Sequence, residues 1–503
     1  MKNIKIIVIL SFVISLIASC DIGRLDTPPL AVSEGDYFQN EVEFRRAVVS
    51  AYAKMTDWYW FKSADFIHHL YYLAGDDITT NRDGTATYEL FNGNLNPTEG
   101  KSSYFWDMTY EMIQRTNVII EKAETADLDM FDSPELINYM KGEALFLRSL
   151  AYFKLFNMYG RAPLVITRIT NREDTNTPAS EGVQLLDQVI EDLEEAASLL
   201  PASWPSEEAG RAVSNSAKGL LVKALVYRGD YSGSSTDYAT AANVYSQISG
   251  ANLETDYSNN FSAFHENNSE SLFEFQAAAP SPEQQNPWLS NDGPWRGVES
   301  MHAFWGMYKT FGPQNDMIGG ETWKVTRKLF NQFGTDPRLA FFMQPDRSFE
   351  KYGKDGLDAL LPTFAPSSVN NVRILRLADV KLVAAEAILK SGGNKASAIA
   401  LINEIRTRAR DWGLSSGAGD GIAPADHPTS ETDSGVILQW IMDERFVELC
   451  GEEGIRWHDL KRWDAHGDIS LQNWNGSDEH FSTDLSASFQ FEYPKTFCIP
   501  FLR

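Results

Sequence analysis

Apolar residues recur at steps of three and four along much of this chain, and no other feature of the sequence constrains its fold as strongly. Between Leu136 and Met158 this spacing gives a long helix one apolar face, and Gly160 and Pro163 end the helix. Equivalent stripes predict further helices at 42–58, 103–126, 183–200, 238–248, 374–388 and 398–409. One more helix is predicted to begin behind an N-cap at Ser214. Since short turns such as Gly229–Ser235 join several of these stripes, consecutive helices pair as antiparallel hairpins.

Small side chains mark the positions where two of the predicted helices face each other. Ala384 and Ala387 on one stripe, with Ala398 and Ala400 on the next, allow the two helix axes to approach closely. This packing is expected of stacked helix-turn-helix repeats, so the predicted fold is dominated by α-helices. The stretch from about 255 to 370 differs, because it is rich in Pro, Gly, Asn and Trp, and we interpret it as an irregular, loop-rich insertion.

The charge balance narrows the classes of partner. The chain has 503 residues, with 44 Lys and Arg against 69 Asp and Glu, and a formal charge of −25 at pH 7 repels nucleic-acid phosphates. With 43% hydrophobic and 22% charged residues, the composition is that of a globular protein rather than a disordered chain, a collagen or a polytopic membrane protein. The 13 Trp, 19 Tyr and 29 Phe can fill a core or offer flat surfaces to ligands.

The amino terminus has the three parts of a secretion signal. Basic residues precede an apolar run from Ile6 to Ala18, which is shorter than the roughly 20 residues that span a bilayer. Cys20 follows small residues, where the signal peptide of a bacterial lipoprotein is cut. We therefore predict a signal peptide at 1–19, lipidation of Cys20 and a lipid-anchored tether at 20–36. The alternative is an ordinary secreted protein in which this cysteine occurs by chance.

Short matches to catalytic motifs do not indicate catalysis in this chain. Residues 413–417 match Gly-x-Ser-x-Gly, but a predicted helix precedes them where a nucleophile elbow needs a strand, so we interpret the segment as a flexible loop. Residues 100–102 are similar to the end of a phosphate-binding loop, yet Leu95 replaces the first glycine of that motif. No spacing selects a catalytic residue, and we predict no cofactor.

The sequence also has no metal-binding signature. His265-Glu266 lacks a second histidine at the required spacing, His68-His69 are adjacent residues that point in different directions on a helix, and no Cys-x-x-Cys occurs. Apart from the predicted lipid-bearing cysteine, the chain has only Cys450 and Cys498, which we expect to be buried thiols. We therefore predict no metal site and no disulfide framework.

Five segments, in order along the chain, carry a resemblance to one family. They are Leu147–Leu155, Tyr159–Val165, Gly210–Lys218, Arg376–Arg406 and Glu444–Trp463. The most specific pieces of the last segment are Glu444-Arg445, Glu448-Leu449, Gly454, Arg456 and Asp459-Leu460-Lys461-Arg462-Trp463. Together these matches make the chain similar to the SusD/RagB family of surface glycan-binding lipoproteins of Bacteroidetes.

The resemblance implies a fold, a location and a partner. The implied fold has tetratricopeptide-like helical hairpin repeats in an amino-terminal region at 37–254 and a carboxyl-terminal region at 371–503, with the irregular insertion at 255–370 between them. The implied protein is lipid-anchored at the outer membrane and faces the cell exterior. There it acts as a lid on a SusC-like TonB-dependent transporter and captures an oligosaccharide without catalysis.

Acidic and basic side chains are concentrated between Glu444 and Trp463, which invites an active-site interpretation. Glu444, Arg445, Glu448 and Arg456 recur at helical distances, and such groups also form partly buried ion networks. We therefore interpret them as an ion network that locks the last hairpin to the body of the fold. The competing interpretation is a catalytic acid in this segment.

Two clusters of polar and aromatic residues are candidates for binding a sugar, which presents C–H faces and many hydroxyl groups. Both clusters lie in stretches that we predict to be loops, although no residue-level motif transfers from the family. The first cluster is Asp77, Asn81, Arg82, Asp83, Tyr88 and Asn92, and the second is Trp288, Asn291, Asp292, Trp295, Arg296 and Trp305. Trp58 and Trp60, in a dense aromatic run, are expected in the core instead.

Two other functions remain open at the level of the sequence. A peptide-binding protein of the same fold, like the RagB branch of the family, is the first, because helical repeats commonly hold peptides. A surface polysaccharide hydrolase is the second, and it requires a pair of carboxyl groups that the sequence does not reveal.

Overall fold

The computed structural model describes residues 37–59, 75–80, 100–278, 300, 323–342, 351–352, 355 and 368–473, and α-helices dominate these residues. The helices are α1 (Glu41–Ala53), α2 (Thr56–Tyr59), α3 (Gly100–Glu124), α4 (Glu135–Tyr159), α5 (Gln184–Leu199), α6 (Ser214–Ser232), α7 (Ser235–Tyr245), α8 (Arg327–Phe333), α9 (Leu377–Lys390), α10 (Lys395–Ser416), α11 (Ser434–Glu448) and α12 (Ile455–His466). The strands are β1 (Ile78–Thr80), β2 (Ser271–Phe275), β3 (Trp323–Val325) and β4 (Val372–Arg376). The predicted all-α-dominated fold is confirmed.

Consecutive helices from α3 to α7 pack against one another in chain order, which is the arrangement of stacked helical hairpins. Only Gly233 and Ser234 separate α6 from α7, so these two helices run antiparallel. Gly233 adopts a φ of 74°, a left-handed conformation that glycine adopts without steric cost and that ends α6. Helix α9 then packs on both α6 and α7, so the carboxyl-terminal hairpin α9–α10 continues the same stack.

The apolar stripes predicted from the sequence face the interior. One large core joins α1 and α3–α7 to the strands β2 and β4, and a smaller cluster fills the space between α9, α10 and α11. Trp58 is fully buried against Phe105, as predicted, and Cys450 is buried as well. Trp60, Cys498 and residues 1–36, which include Cys20, lie outside the described residues. None of the described helices is long and apolar enough to cross a bilayer.

Two local predictions about α6 were wrong, each for a physical reason. Ser214 is the first residue of α6 rather than its cap, because Val213 holds that place and Ser214 instead donates to the carbonyl of Ala197 at 2.8 Å. Gly229 lies within α6 rather than in a turn, and a Cβ there would come within 2.7 Å of the Tyr238 ring. Helix packing that close overrides the weak helix propensity of glycine.

The start of the carboxyl-terminal repeat also differs from the prediction. Ile374 belongs to β4, which pairs antiparallel with β2, and the helix begins only at Leu377. Every residue of β4 is buried, so a run of apolar residues there could not be distinguished from a helical stripe by spacing alone.

The segment that matches Gly-x-Ser-x-Gly is the end of a helix. Helix α10 continues through Ser416, and Gly417 caps it with a φ of 75°, so the interpretation of 413–417 as a flexible loop was wrong. The helix predicted ahead of the serine is confirmed, and it occupies the place where a nucleophile elbow needs a strand. Residues 100–102 likewise form the first turn of α3.

We expect Gly219→Val to lower the free energy of unfolding by about 1–3 kcal/mol through overpacking. Gly219 lies where α6 meets the β2–β4 sheet, and a Cβ there would come within 2.9 Å of both Leu272 and Leu375. Urea denaturation of the two proteins measures the difference. The control is Lys218→Val, which puts the same side chain on the neighbouring, half-exposed position and should change stability by much less. Equal losses in the two variants would contradict this account of the packing.

Candidate ligand-binding site

A two-stranded sheet brings the start of the first predicted ligand loop beside the end of one segment of the insertion. β1 pairs antiparallel with β3, and the register places Thr80 opposite Trp323. Five of the six residues of the first cluster follow Thr80, and the segment 301–322, which carries Trp305 of the second cluster, ends at Trp323. Paired strands lie about 5 Å apart, so the first loop starts beside the end of that segment. The sequence did not predict this pairing.

A second set of contacts fixes the base of segment 279–299, which carries most of the second cluster. Before it, the amide of Ala277 donates to the Asn371 side chain at 2.6 Å. After it, Ser300 and Ser368 exchange backbone hydrogen bonds of 2.8 and 3.2 Å. Both ends of the segment are therefore held at residues 368–371, directly before β4. A loop whose ends are fixed in this way loses less conformational entropy when it binds a ligand.

Eleven of the twelve predicted ligand residues lie outside the described residues, and their role stays a prediction. They are Asn81, Arg82, Asp83, Tyr88, Asn92, Trp288, Asn291, Asp292, Trp295, Arg296 and Trp305. The twelfth, Asp77, is only 4% exposed, and its carboxylate accepts a hydrogen bond from the amide of Gly451 at 3.0 Å. That carboxylate serves to hold the base of the first loop, and the expectation that it faces a ligand is not supported.

Asp76, next to Asp77, is the electrostatic anchor of this sheet. Its fully buried carboxylate accepts hydrogen bonds from Arg456 at 2.5 and 3.0 Å and from Lys328 at 2.6 Å. Burial opposes ionisation, but the two cations outweigh it and hold the pKa of Asp76 well below its usual range. Thr326 adds two bonds, since its amide donates to the carbonyl of Asp77 and its hydroxyl donates to that of Asp76.

Arg456 belongs to the segment that we interpreted as an ion network, and the structure confirms that interpretation. The carboxylate of Glu448 accepts hydrogen bonds from Arg338 at 2.7 Å, Arg376 at 3.0 Å and Arg408 at 2.6 Å. Its burial raises the cost of a charge, but these guanidinium groups keep the pKa of Glu448 far below normal. Glu444 is bound between Arg338 and Arg406, each at 2.8 Å. Most members of the network are buried, whereas Arg406 and Arg456 are partly exposed, so the predicted partly buried network is confirmed.

A second part of the network joins α12 to the rest of the stack. Arg445 pairs with Asp459 at 2.7 Å and with Asp379 of α9 at 2.8 Å. Arg462 bridges Asp459 at 2.9 Å and Glu386 of α9 at 2.7 Å. The partners Asp379 and Glu386 were not predicted, although a carboxylate inside an otherwise apolar stripe is a usable signal for a buried ion pair.

One group of possible metal ligands comes together within the described residues, formed by Asp230, His466 and Asp468. The ammonium group of Lys390 lies among them, at 2.6 Å from Asp230 and 2.7 Å from Asp468, and Arg462 also pairs with Asp230 at 2.6 Å. A metal ion would have to displace these cations. The group therefore works as an ion cluster and does not suit a metal.

Glu266, near the base of segment 279–299, is a carboxyl group whose pKa is raised well above its usual value. Burial raises its pKa to about 7, against the opposing effect of the Asn371 amide, which donates to Glu266 at 2.7 Å. Its burial thus favours the protonated form, which can donate as well as accept a hydrogen bond, more than in an exposed glutamate. The sequence had given no reason to select it, because the shift depends on burial that only the fold creates.

Comparison with known proteins identifies the family. A profile described as the SusD family matches residues 366–496, and a second, described as starch-binding and associating with the outer membrane, matches residues 42–225. A SusD-like protein of Formosa agariphila is 24% identical over 499 residues, covering 92% of this chain and 91% of its own.

The chain belongs to the SusD/RagB family. The first profile spans the ion network of α11 and α12, and the second spans the helices from α1 into α6, so both halves of the stack carry the family signature.

Solved structures share the fold of this SusD/RagB protein. Surface glycan-binding protein A from Bacteroides fluxus superposes with a TM-score of 0.68 at 21% identity, covering 91% of this chain and 94% of that one. A laminarin-binding SusD-like protein superposes with a TM-score of 0.66 at 21% identity, covering 89% and 98%. At these identities the likeness concerns the fold.

We expect Arg456→Met to destabilise the fold by about 3–5 kcal/mol, because it leaves the buried Asp76 charge with Lys328 as its only remaining cation. Methionine retains the stem of the side chain, so the loss reports the charge. Equilibrium unfolding in urea measures it. The matched control is Arg45→Met, which removes an arginine that bridges Glu41 and Glu208 at the surface and should cost about 1 kcal/mol or less. A loss for Arg456→Met no larger than that of the control would contradict the anchoring role.

Asp77 generates a prediction about pH. Burial raises its pKa from 3.8 to about 6. Between about pH 4 and pH 6 the folded protein therefore keeps the Asp77 proton, whereas the unfolded chain has lost it. Proton binding stabilises the folded state, and this stabilisation is lost as the pH rises through about 6. Asp77→Asn has no such proton to lose. The free energy of unfolding of the variant, minus that of the unmodified protein, should therefore rise by up to about 3 kcal/mol between about pH 4 and pH 7.

Urea unfolding of both proteins across that pH range measures the difference. Asp129→Asn, at an exposed position, is the control and should follow the unmodified protein at every pH. A stability difference for Asp77→Asn that stays constant with pH would contradict the assignment.

Proposed function

We propose that this protein is a lipid-anchored, cell-surface glycan-binding protein that captures an oligosaccharide and delivers it to a SusC-like TonB-dependent transporter. The observation that carries the proposal is the β1–β3 pairing. It places the start of the first loop, which is rich in amide and charged residues, beside the end of the segment that carries Trp305, while the segment that carries Trp288 and Trp295 is held separately at residues 368–371. Stacking on rings combined with hydrogen bonds to hydroxyl groups is the chemistry that a sugar requires.

The family supports the choice of ligand and location. Relatives of the same fold are named for binding laminarin and for surface glycan binding, and one matching profile is described as starch-binding and associating with the outer membrane. Lipidation at Cys20 and a tether at 20–36 would hold the helical stack at that membrane. The resemblance to the family implies that the protein faces the cell exterior and contacts the transporter. These finer points are part of the proposal.

The charge network supports binding without catalysis. Its carboxylates at Glu444, Glu448 and Asp459 are each paired with arginine, and the arginines around Glu448 hold its pKa far below normal, so Glu448 stays ionised and cannot act as a general acid. A glycosidase needs two carboxyl groups facing one glycosidic bond. Glu266 alone does not make that pair, because its neighbour Glu274 is fully buried and bonded to Asn371 at 2.8 Å. The function that fits these side chains is binding.

A peptide ligand is the second candidate, because the same fold serves the RagB branch. The loops favour a sugar, since three tryptophans and several amide and charged side chains lie in them and the chain carries a strong negative charge. Mass spectrometry of the ligand that co-purifies with the protein separates the two candidates.

We expect replacement of Trp288, Trp295 and Trp305 by Ala to weaken oligosaccharide binding at least tenfold, because stacking surfaces are lost while the anchors of the loops remain. Isothermal titration with laminarin and starch oligosaccharides measures the affinity, and a reducing-end assay on the same samples should show no turnover. Trp204→Ala, a partly exposed tryptophan between α5 and α6, is the control and should bind as the unmodified protein does. Binding of peptides but of no oligosaccharide, or release of reducing ends, would reject the proposal.

A further inference from the structure

A groove on the carboxyl-terminal hairpin lies away from the β1–β3 sheet and has no role in the site described above. Its volume is about 620 Å³, within the range of about 300–1,000 Å³ that small-ligand sites occupy. The walls are the segment 251–255, the start of α9, one face of α10 and Thr429. The lining residues on α10 are Ala400, Asn403, Glu404, Thr407, Arg408 and Asp411.

Hydrogen bonds hold both walls of this groove in place. On one side, the amide of Asn252 donates to the carbonyl of Ser269 at 2.9 Å, and that of Glu254 donates to Glu270 at 2.9 Å. On the other, the Asn403 side chain donates to the carbonyl of His427 at 2.9 Å and accepts from its amide at 2.8 Å. The groove is thus largely formed before any ligand enters, which reduces the entropy lost on binding.

The groove combines apolar and polar surfaces. Leu253, Leu377 and Ala400 contribute apolar surface to its lining. The side chains of Asn252, Thr255, Asp411 and Thr429 also line it, and within the described part of the chain none of these four makes a hydrogen bond or ion pair. Asn252, Thr255, Asp411 and Thr429 are all exposed, so their donors and acceptors are open to a ligand.

Arg408 provides a separate observation beneath this surface. It is 6% exposed and lines the groove, and its two terminal nitrogens bind Glu270 at 2.9 Å and Glu448 at 2.6 Å. Its Nε is buried and has no hydrogen-bond partner among the described residues. A buried donor without a partner costs roughly 1–3 kcal/mol, and a ligand hydroxyl or a water held by the ligand could satisfy it.

We propose that this groove is a second saccharide-binding site, which takes one or two neutral sugar units through hydrogen bonds. A carboxylate, an amide and hydroxyl groups around a small apolar surface match the hydroxyl groups and the C–H face of a sugar ring. Asp411 and Glu404 disfavour anionic ligands, and Lys381, at 2.6 Å from Glu404, neutralises Glu404 toward a cation. The helical walls α9 and α10 offer no free backbone to an extended peptide. The choice of ligand class rests on the proposed glycan-binding function.

The site differs from the loop site because, among the residues that the structure describes, no aromatic side chain lines it. Hydrogen bonds to exposed groups exchange with water and give little net affinity, so this groove should bind weakly on its own. A weak second site on the same rigid stack raises the affinity for a longer chain that reaches both sites, because the second contact becomes intramolecular.

The test uses saturation-transfer NMR with cellobiose, maltose and laminaribiose as probes. The starting protein carries Trp288→Ala, Trp295→Ala and Trp305→Ala, so that the loop site is disabled. We expect weak residual binding of at least one disaccharide. Adding Asp411→Asn should weaken that binding at least tenfold, and adding Ala400→Leu, which narrows the groove at an exposed position, should do the same. Glu194→Gln removes an exposed carboxylate on α5 and is the matched control, which should leave binding unchanged.

Each outcome separates this proposal from the function proposed above. If the unmodified protein binds these sugars and the triple tryptophan variant binds none, the groove proposal is overturned and the glycan-binding function stands. If binding persists in the triple variant but Asp411→Asn and Ala400→Leu leave it unchanged, the groove is likewise rejected. If the unmodified protein binds no sugar at all, both proposals fail.

Discussion

The buried pairing of arginines with carboxylates is the interaction on which the rest of this structure depends. Glu448 alone receives three guanidinium groups, from residues on β4, on α10 and in the segment after α8. Taking charges out of water costs several kcal/mol for each ion, so every member of such a network needs its partners in place. The network therefore strongly favours one arrangement of the last four helices against the repeat stack, since other arrangements would leave buried charges unpaired.

The same network extends to the base of the candidate ligand site. Arg456 projects from α12 to Asp76, and Gly451 donates to Asp77, so the carboxyl-terminal segment holds the sheet from which the first predicted loop emerges. The scaffold thus fixes where the loops begin and end without using their tips. Because the anchors lie at the loop ends, the loop tips can change while the buried anchors remain, and one fold can then bind different ligands.

Much of the architecture could be predicted from the sequence because its signals are local. The stripe from Leu136 to Met158 became α4, and the stripe from Ala398 to Ala409 became part of α10, since the apolar period of a helix depends only on neighbouring turns. The prediction failed at Ile374, because a strand that is buried on both faces has the same unbroken run of apolar residues as a buried helix. It also failed at Gly229, where close contact with Tyr238 extends a helix through a residue that often ends one.

The sequence by itself determined that the chain forms helical hairpins and that it resembles one family, and it favoured a structural network over a catalytic acid for the charged residues from Glu444 to Trp463. Helical period and motif order are properties of neighbouring residues, which a sequence displays directly. Only the tertiary structure decided the partners, such as Asp76 for Arg456 and Glu386 for Arg462, and only it paired β1 with β3 and buried Asp77. These contacts join residues that are far apart in the chain, from 76 to 380 positions, and their energies depend on burial, which exists only once the chain has folded.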